Sequence, residues 1–547
     1  MYQLSNLEND IRELLLENDI DENIDIRVSS IVNYDFQINN LVKYQNHPNI
    51  KKIITSIKKI IEREKAIKEF EITEKYFINL KINIERFLKE YENIRDIIKI
   101  KNPKKIILDY GGPNIGKPLH VGHLRSLNIG RSLYNINYLA GNKVQSDIHM
   151  GDWGMPIAQI IAYVEKSNLD IEKLDIDDLE EIYPNASKLY KDDIEFNSYS
   201  QSINKKLNEN SKDLVRKWKK LKSISTESIT QILNMLNHNF DMWMGESDVN
   251  GLIPEIIENL YEKGKISNDN GAYVSNFESE PKILITKSDG SYLYLTTDLA
   301  TVKNRLENNE FDKTLYVVDK RQKLHFEQLF NCLDYFEFDK REYEHISFGT
   351  INDASGNPFK TREGDTKKLS DLFEEAYLHI KNINPELDDE TNKILANTVL
   401  TFSDLITNRM TDYKFDLDKF TNISGKTGIY VQYSLVRAKK LITNSSINVK
   451  NLKIKVSELD QSDINLIKSF SKFEILFSQA LNNSEPHHLA NYLYELSNEF
   501  NSIYQGVNIL ENKNVDVKNN KLKISYLFIA YSNLLMESLG ISPVETM

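Results

Sequence analysis

Residues 111–126 read GGPNIGKPLHVGHLRS, and they follow the apolar run Ile106–Leu108. The glycines and prolines in the first half of this stretch predict a tight turn. Beyond the turn, apolar and aromatic residues recur at helical spacing until Gly141, and glycine commonly ends a helix. A strand, a glycine-rich turn and a helix in this order predict the first unit of a parallel sheet, which binds ligands at the carboxyl ends of its strands.

Two histidines lie at the start of the predicted helix. His120 and His123 are three residues apart and therefore project from the same face. Free backbone N–H groups and the helix dipole favour an anion there, and Gly122 lets a ligand approach the backbone. With 10 histidines and 20 glycines in the chain, chance gives the pattern HxGH roughly 0.007 times. The pattern predicts a phosphate site, and the alternative is a pair of ordinary surface histidines.

Composition narrows the class of protein. The chain has 547 residues, of which 40% are hydrophobic and 27% charged, and its net charge is −12. This acidic balance argues against a protein that works only by holding nucleic acid through bulk charge, but it allows a local basic surface. Cys332 is the only cysteine, which excludes a disulfide framework and a zinc cluster built on thiolates. Because no transmembrane segment or secretory signal is visible, we expect a cytoplasmic protein with no membrane partner.

The pattern of apolar residues divides the chain into parts. Residues 1–100 predict a small module of helices and strands, with one helix over residues 50–67. From residue 104, helical stretches alternate with five strand-like runs, namely KKIILDY, KILIT, YLYLTT, TLYVVD and HISFGT. This alternation predicts a parallel sheet. A mostly helical insertion interrupts it at about residues 155–265, and after about residue 425 only helical patterns remain.

The motifs as a set resemble those of one family. HVGH after the first strand is similar to the HIGH signature of class I aminoacyl-tRNA synthetases, which the wider group of nucleotidyl transferases shares. The resemblance to arginyl-tRNA synthetases rests on longer strings, which are DYGGPNIGKPLHVGHLRS, HMGDWG, SDGSYLYLTTDLA, YVVDKRQKLHF, GNPFKTREGDTKKLSDLFEEA, MTDYKFDLDKF and VQYSLVRA. It covers residues 104–547 strongly and residues 1–100 more weakly.

This resemblance implies a multidomain α/β protein. A small α+β N-terminal domain that contacts tRNA is expected at residues 1–100. A Rossmann-like parallel-sheet catalytic domain with the mostly helical insertion is expected at 104–385. A helical connector would follow at 386–425, and an all-α anticodon-binding bundle at 426–547. A monomer is expected.

The resemblance also implies a reaction. Arginine and ATP with Mg²⁺ would form arginyl-adenylate, and the arginyl group would pass to the 2′-hydroxyl of the terminal adenosine of tRNA(Arg). Adenylate formation is expected to require bound tRNA. No prosthetic group and no metal ligand from the protein are expected.

The family's site residues carry over onto matching positions of this sequence. The expected ATP-binding residues are Gly116, His120, Gly122 and His123, and the histidines would also be catalytic. The expected arginine-binding residues are Asp109, Asn114, Tyr294, Asp298 and Gln322. Asp298 is expected to pair with the guanidinium, because a carboxylate matches that planar group with two hydrogen bonds. The alternative for Asp298 is a helix N-cap.

One motif departs from the class I pattern. The late loop of these enzymes usually reads KMSKS, but here the corresponding residues 358–364 read PFKTREG. Lys360 and Arg362 supply positive charge, and the second lysine of the pattern is missing. The resemblance implies that Lys117, three residues before His120, replaces it. The alternative is a solvated turn lysine.

The tRNA contacts are less specific. The basic stretch KDLVRKWKKLK at 212–222 suggests Lys217, Trp218 and Lys219 as contacts for the acceptor end, although most charged helices simply face solvent. Two other functions remain open at this point. One is a small-molecule nucleotidyl transferase, which is usually a shorter chain. The other is a catalytically inactive synthetase-like tRNA-binding protein, which would be expected to have lost its site residues.

Overall fold

The computed structural model describes residues 4–90, 93–279, 281–288, 290–357, 359 and 367–547. The N-terminal module packs helices against an antiparallel sheet of strand order β1-β2-β4-β3. Its elements are α1 (Leu4–Leu16), β1 (Ile26–Val28), β2 (Phe36–Ile38), α2 (Ile50–Arg63), β3 (Ile67–Ile72), β4 (Ile78–Ile82), α3 (Ile84–Glu90) and α4 (Ile94–Ile97).

The helix predicted over residues 50–67 is too long. Helix α2 buries four isoleucines at spacings of three and four residues, which are Ile50, Ile53, Ile57 and Ile61. The helix ends at Arg63, and Ile67 already begins strand β3. The apolar residues that follow Ile61 no longer keep the helical spacing, so the end of this helix could have been predicted from the period.

The middle of the chain alternates strands with helices. Its elements are β5 (Lys105–Tyr110), α5 (Val121–Ala140), β6 (Lys143–Asp147), α6 (Met155–Lys166), α7 (Ile176–Asp192), α8 (Ile194–Asn208), α9 (Lys212–Met235), α10 (Glu246–Val249), α11 (Ile253–Glu262), β7 (Ile266–Asp269), β8 (Ala272–Ser275), α12 (Tyr294–Asn308), β9 (Lys313–Val317), α13 (Lys323–Tyr335) and β10 (Glu342–His345).

The central sheet is parallel and has the strand order β10-β9-β5-β6. From β5 the chain crosses through α5 to β6 on one side, whereas β9 and β10 lie on the other side. The direction of winding therefore reverses between β5 and β9, which opens a crevice at the carboxyl ends of these two strands. The turn at residues 111–120 leaves β5 at this crevice.

Two of the five predicted strands are wrong. Residues 282–286, all of which are described, form isolated bridges rather than a strand of the sheet. The run YLYLTT gives way to α12 at Tyr294, because Leu295, Leu299 and Val302 are buried at helical spacing. Conversely, β6 was not predicted, and β10 shares only His345 with the predicted run HISFGT. Both strands lie at sheet edges and carry polar residues, so their apolar signal is weak.

The last part of the chain is almost entirely helical. Its elements are β11 (Ile351–Asn352), α14 (Leu369–Ile383), α15 (Asp389–Leu405), β12 (Tyr413–Lys414), α16 (Leu417–Phe420), α17 (Gly428–Ser445), α18 (Gln461–Ser471), α19 (Phe473–Asn482), α20 (His487–Gly506) and α21 (Val515–Leu539). Helix α21 packs against α5, where Ser132 Oγ donates a hydrogen bond to the carbonyl of Ser538 at 2.9 Å. Among the described residues, no helix is both long and apolar enough to span a membrane.

Candidate active site

The HVGH turn fixes the two histidines by hydrogen bonds to the backbone. His120 is the N-cap of α5, and its Nδ1 accepts the N–H of Gly122 at 3.1 Å. His123 Nδ1 accepts the N–H of His120 at 3.0 Å. His123 Nδ1 also lies 3.2 Å from the His120 carbonyl; with Nδ1 as acceptor of the closer backbone N–H, each neutral ring is assigned its proton on Nε2. The ring centroids lie 4.0 Å apart, so two N–H donors project side by side from the helix start.

Both rings are held in the neutral form. Burial lowers the pKa of His120, and the charges of Lys117 and Arg321 lower it further. Burial lowers the pKa of His123 to about 3, with a contribution from His120. Neutral donors at the amino end of a helix suit phosphate oxygens, because the site can bind them without first taking up a proton.

Glycine is required at positions 116 and 122 of the turn for different structural reasons. Gly116 has φ +79°, and a Cβ there would lie 2.5 Å from Ile160 Cδ1, so only glycine fits between the turn and the insertion. Its N–H donates to Ser225 Oγ of α9 at 3.0 Å. At Gly122 a Cβ would lie 2.8 Å from Cε1 of His120. Gly122 therefore makes room for the imidazole ring itself, a reason that the sequence did not reveal.

Lys117 lies over an aromatic ring of the insertion. Its ammonium is 4.2 Å from the ring centroid of Tyr183 on α7, and it forms no ion pair with any described residue. The contact leaves the lysine beside His120 with its charge uncompensated by a carboxylate.

The segment that follows the late loop contacts the same turn. Lys360 and Arg362 lie outside the described residues. The segment that follows them is described, and it forms an antiparallel bridge with the turn at His120 and Lys368. Leu369 N–H donates to the carbonyl of Leu119 at 2.9 Å. Lys368 forms an ion pair with Glu180 of α7, so α7 contacts both the turn and the segment that follows the late loop.

Arg305 joins two carboxylates at neighbouring strand ends. Its Nη2 donates to Asp109 Oδ2 at 2.5 Å and to Asp147 Oδ2 at 2.6 Å. Asp109 near the end of β5 and Asp147 at the end of β6 are partners in the sheet register. Burial raises the pKa of Asp109, although the charges of Arg305 and His149 oppose the rise. Asp109 Oδ1 has no hydrogen bond to any described residue and is the atom left for a ligand.

Tyr294 and Asp298 lie one turn apart on the first part of α12. They therefore share a face of the helix. Tyr294 is 68% exposed and lines a cavity of about 250 Å³ with Glu246 and Thr297. The N-cap of α12 is Leu293, so the alternative of an N-cap role for Asp298 is wrong. Instead, Asp298 Oδ2 accepts a hydrogen bond from His325 Nε2 at 2.5 Å.

Glu246 is the site residue that the sequence did not reveal. It begins α10, and burial raises the pKa of its carboxyl to about 7, with further contributions from the charges of Asp298 and Asp152. No lysine or arginine among the described residues pairs with Glu246 or with Asp298. The two neighbouring carboxyl groups form a region that favours a cation. A single glutamate in a helical insertion has no signal in the sequence that would single it out.

Asn114 and Gln322 lie at the rim of the crevice. Asn114 forms a bridge with Gly151 of HMGDWG, where the N–H of Ile115 donates to the Gly151 carbonyl at 3.1 Å. Gln322 ends the short 3₁₀ turn Lys320–Gln322 and directly precedes α13. Both side chains are exposed, so both are accessible to a ligand in the crevice.

Comparison with known proteins identifies the family. A family model described as tRNA synthetases class I (R), catalytic domain, matches residues 83–417. A second model, described as the DALR anticodon binding domain, matches residues 431–547. The chain belongs to the arginyl-tRNA synthetase family. The histidine turn, the parallel sheet and the helical C-terminal domain are thus parts of a class I synthetase.

Individual relatives agree with this assignment. The arginine–tRNA ligase of Francisella tularensis is 33% identical over 540 residues, which cover 93% of this chain and 92% of that protein. The arginine–tRNA ligase of Agathobacter rectalis is 32% identical over 533 residues, which cover 89% of each. The crystal structure of arginyl-tRNA synthetase from Plasmodium falciparum has a TM-score of 0.82 at 26% identity, over 99% of this chain and 98% of that one.

The activity of the chain is that of an arginine–tRNA ligase. As a class I synthetase it uses ATP, arginine and tRNA. The two other functions left open by the sequence are not favoured, because the match to arginine–tRNA ligases runs through both the catalytic domain and the anticodon-binding domain.

The basic stretch of α9 has structural contacts in this synthetase. Lys217 is 16% exposed and pairs with Glu165 and Asp213, each at 2.5 Å. Trp218 packs edge-on against Trp153 and donates its Nε1–H to the Asp152 carbonyl at 2.7 Å. Lys219 is exposed. Of the three suggested tRNA contacts, Lys219 is the one whose side chain is not engaged in such contacts.

Proposed function

We propose that arginine binds in the crevice with its guanidinium between Glu246 and Asp298. The observation that carries this proposal is the pair of neighbouring carboxyl groups to which no described lysine or arginine is bound. A guanidinium offers five donors in a plane, so it can satisfy both groups at once. Tyr294 lines the same cavity and would pack against the aliphatic part of the substrate.

The other end of arginine would lie nearer the strand ends. Asp109 Oδ1, free of hydrogen bonds to the described residues, is suited to accept the α-ammonium. Asn114 and Gln322 are exposed at the rim and are suited to contact the ammonium and carboxylate through their amide groups. Arg305 would keep Asp109 ionised and oriented during this contact.

The first reaction step would take place at the HVGH turn. The carboxylate of arginine attacks the α-phosphorus of MgATP, a new bond from oxygen to phosphorus forms, and the bond to the pyrophosphate oxygen breaks. His120 and His123 would donate their Nε2–H groups to phosphate oxygens as charge develops on them. Gly116 and Gly122 give the turn the shape that presents these donors to ATP, because a side chain at either position would meet Ile160 or the His120 ring. Lys117, Lys360 and Arg362 would supply the positive charge that the departing pyrophosphate needs.

The second step would transfer the arginyl group to the 2′-hydroxyl of the terminal adenosine of tRNA(Arg). We propose that adenylate formation itself requires bound tRNA. This proposal is supported by two contacts between the insertion and the turn. Ser225 of α9 accepts a hydrogen bond from Gly116, and the ring of Tyr183 on α7 contacts Lys117. Lys219 of α9 is exposed on the same insertion and is suited to contact the acceptor end. A tRNA bound to the insertion could thereby adjust the position of the phosphate-binding turn.

The N-terminal module at residues 1–100 is proposed to hold another part of the tRNA. Helix α2 exposes five cations, which are Lys51, Lys52, Lys58, Lys59 and Arg63. None of them forms an ion pair with a described residue. Such a basic face on a protein with a net charge of −12 suits a phosphate backbone. We further propose a cytoplasmic monomer, with domain limits at 104–385, 386–425 and 426–547.

The arginine pocket is tested by replacing Asp298 with Asn. Arginine binding should weaken by roughly 2–4 kcal/mol, because one partner of a desolvated charge pair is lost. The KM for ATP should change little. Steady-state aminoacylation gives both constants, and Asp389→Asn, an exposed aspartate on α15, is a matched control. A KM for arginine within twofold of the wild type would show that this assignment is wrong.

A further inference from the structure

We infer that His325 is a positioning residue that sets the specificity of the arginine pocket by fixing the carboxylate of Asp298. The inference rests on the proposed function, in which Asp298 binds the guanidinium. His325 is the third residue of α13 and lies on a different element from Asp298. His325 is not proposed to contact arginine; it acts through Asp298.

The two carboxylate oxygens of Asp298 have different surroundings. His325 Nε2 donates to Asp298 Oδ2 at 2.5 Å, whereas Oδ1 has no hydrogen bond to any described residue. The side chains are 29% exposed for Asp298 and 25% exposed for His325. A carboxylate on a helix surface would otherwise rotate among several conformers. With Oδ2 held, Oδ1 is presented in one direction.

The imidazole is itself held in place. Its ring lies edge-on to that of Phe326, with the centroids 5.3 Å apart. Phe326 is buried, stacks on His345 at 4.5 Å and contacts Tyr316 at 5.1 Å. His345 Nε2 in turn donates to the Val318 carbonyl at 2.9 Å. Asp298 is therefore anchored, through His325, to the aromatic core beside strands β9 and β10.

This anchoring determines which substrate fits. A carboxylate held in one orientation matches a planar, forked cation better than a single ammonium. If Asp298 could rotate freely, binding would have to order it, and the guanidinium would lose affinity while ATP binding stayed the same. Loss of the anchoring should therefore weaken binding of the guanidinium and leave the contacts of the α-amino and carboxylate groups unchanged.

The experiment compares His325→Leu with His325→Gln. Leucine removes the donor, whereas the amide nitrogen of glutamine can replace Nε2. The KM for arginine should rise roughly 10- to 100-fold in His325→Leu, the scale of losing a hydrogen bond to a charged group. It should recover most of the way in His325→Gln, and the KM for ATP should remain within twofold in both variants.

A second readout isolates the guanidinium. Agmatine has the side chain of arginine but no carboxylate, so its inhibition constant should rise in parallel with the KM for arginine in His325→Leu. His379→Leu is the matched control, since His379 lies 3.7 Å from Asp418 on the surface. A purely structural role of His325 would lower the melting temperature without changing either constant, and that result would overturn the inference.

A double-mutant cycle separates this inference from the proposed function. If His325 acts through Asp298, the variant with both His325→Leu and Asp298→Asn should have the same KM for arginine as Asp298→Asn alone. Additive effects would overturn the inference while leaving the pocket intact. An Asp298→Asn variant with unchanged KM for arginine would overturn both the pocket and the inference.

Discussion

The N–H of Val121 donates a hydrogen bond to the carbonyl of Lys367 at 3.0 Å. Val121 begins the helix that carries the histidines, and Lys367 is the first described residue after the late loop. A second backbone bond, from Leu369 to Leu119, runs in the opposite direction at 2.9 Å. The helix that carries the histidines is thus joined directly to the segment that follows the late loop, although the two are far apart in sequence.

Breaking this junction should impair arginine activation. Leu369→Pro removes the N–H donor that bonds to Leu119, and proline is well tolerated at the first position of a helix such as α14. Leu369→Ala removes the same buried side chain but keeps the donor. Both variants should lose stability, while the proline variant alone should have a KM for ATP raised by roughly tenfold, the scale of one lost backbone hydrogen bond.

The comparison is made by pyrophosphate exchange in the presence of tRNA, with melting temperatures recorded alongside. Equal KM values for ATP in the proline and alanine variants would show that the junction has no part in positioning the phosphates.

Lys117 should act in catalysis rather than in folding. Lys117→Ala should lower the rate of activation by on the order of 10²–10³, as for the loss of one preorganised charge-stabilising donor. Its melting temperature should stay near that of the wild type, because among the described residues the ammonium contacts only the ring of Tyr183. Lys188→Ala, an exposed lysine on α7, is the control. Activation near the wild-type rate would leave Lys360 and Arg362 as the phosphate cations.

Arginine binding should depend on pH through Glu246. Burial raises the pKa of this carboxyl to about 7, so below that pH the group is protonated and uncharged. A guanidinium prefers the ionised form, hence the KM for arginine should rise as the pH falls, by up to roughly tenfold per pH unit. Glu246→Gln should raise the KM and remove its dependence on pH.

The measurement is the KM for arginine across about pH 6 to 8, with the KM for ATP at each pH as the control. The same pH profile in the wild type and in Glu246→Gln would assign the titration to another group.

Much of the fold could be predicted from the periodicity of apolar residues, whereas the site residues were expected from the resemblance to arginyl-tRNA synthetases. The strand–turn–helix unit at His120 was predicted because glycines and apolar runs act locally. Edge strand β6 and the start of α12 at Tyr294 were not predicted. A short polar strand has a weak apolar pattern, and a short apolar run can form either a strand or a helix, so both depend on the elements packed against them. Fold class and family were confirmed, while the individual roles of the site residues stay predictions.

The contacts that arise between distant segments could not be read from the sequence. Glu246 is a single acid in a helical insertion, and its significance comes from burial beside Asp298. Likewise, Arg305 matters because the sheet register brings Asp109 next to Asp147. Burial and register are properties of the folded chain, so these pairings required the structure.

We propose that the chain activates arginine at the histidine turn only when the protein has bound tRNA. The most direct test is the exchange of labelled pyrophosphate into ATP by the purified protein, with arginine alone, with a tRNA(Arg) transcript alone, and with both. We expect exchange near background with arginine alone or tRNA alone, and a large increase with both. Full exchange with arginine in the absence of tRNA, or background exchange when both are present, would contradict this proposal.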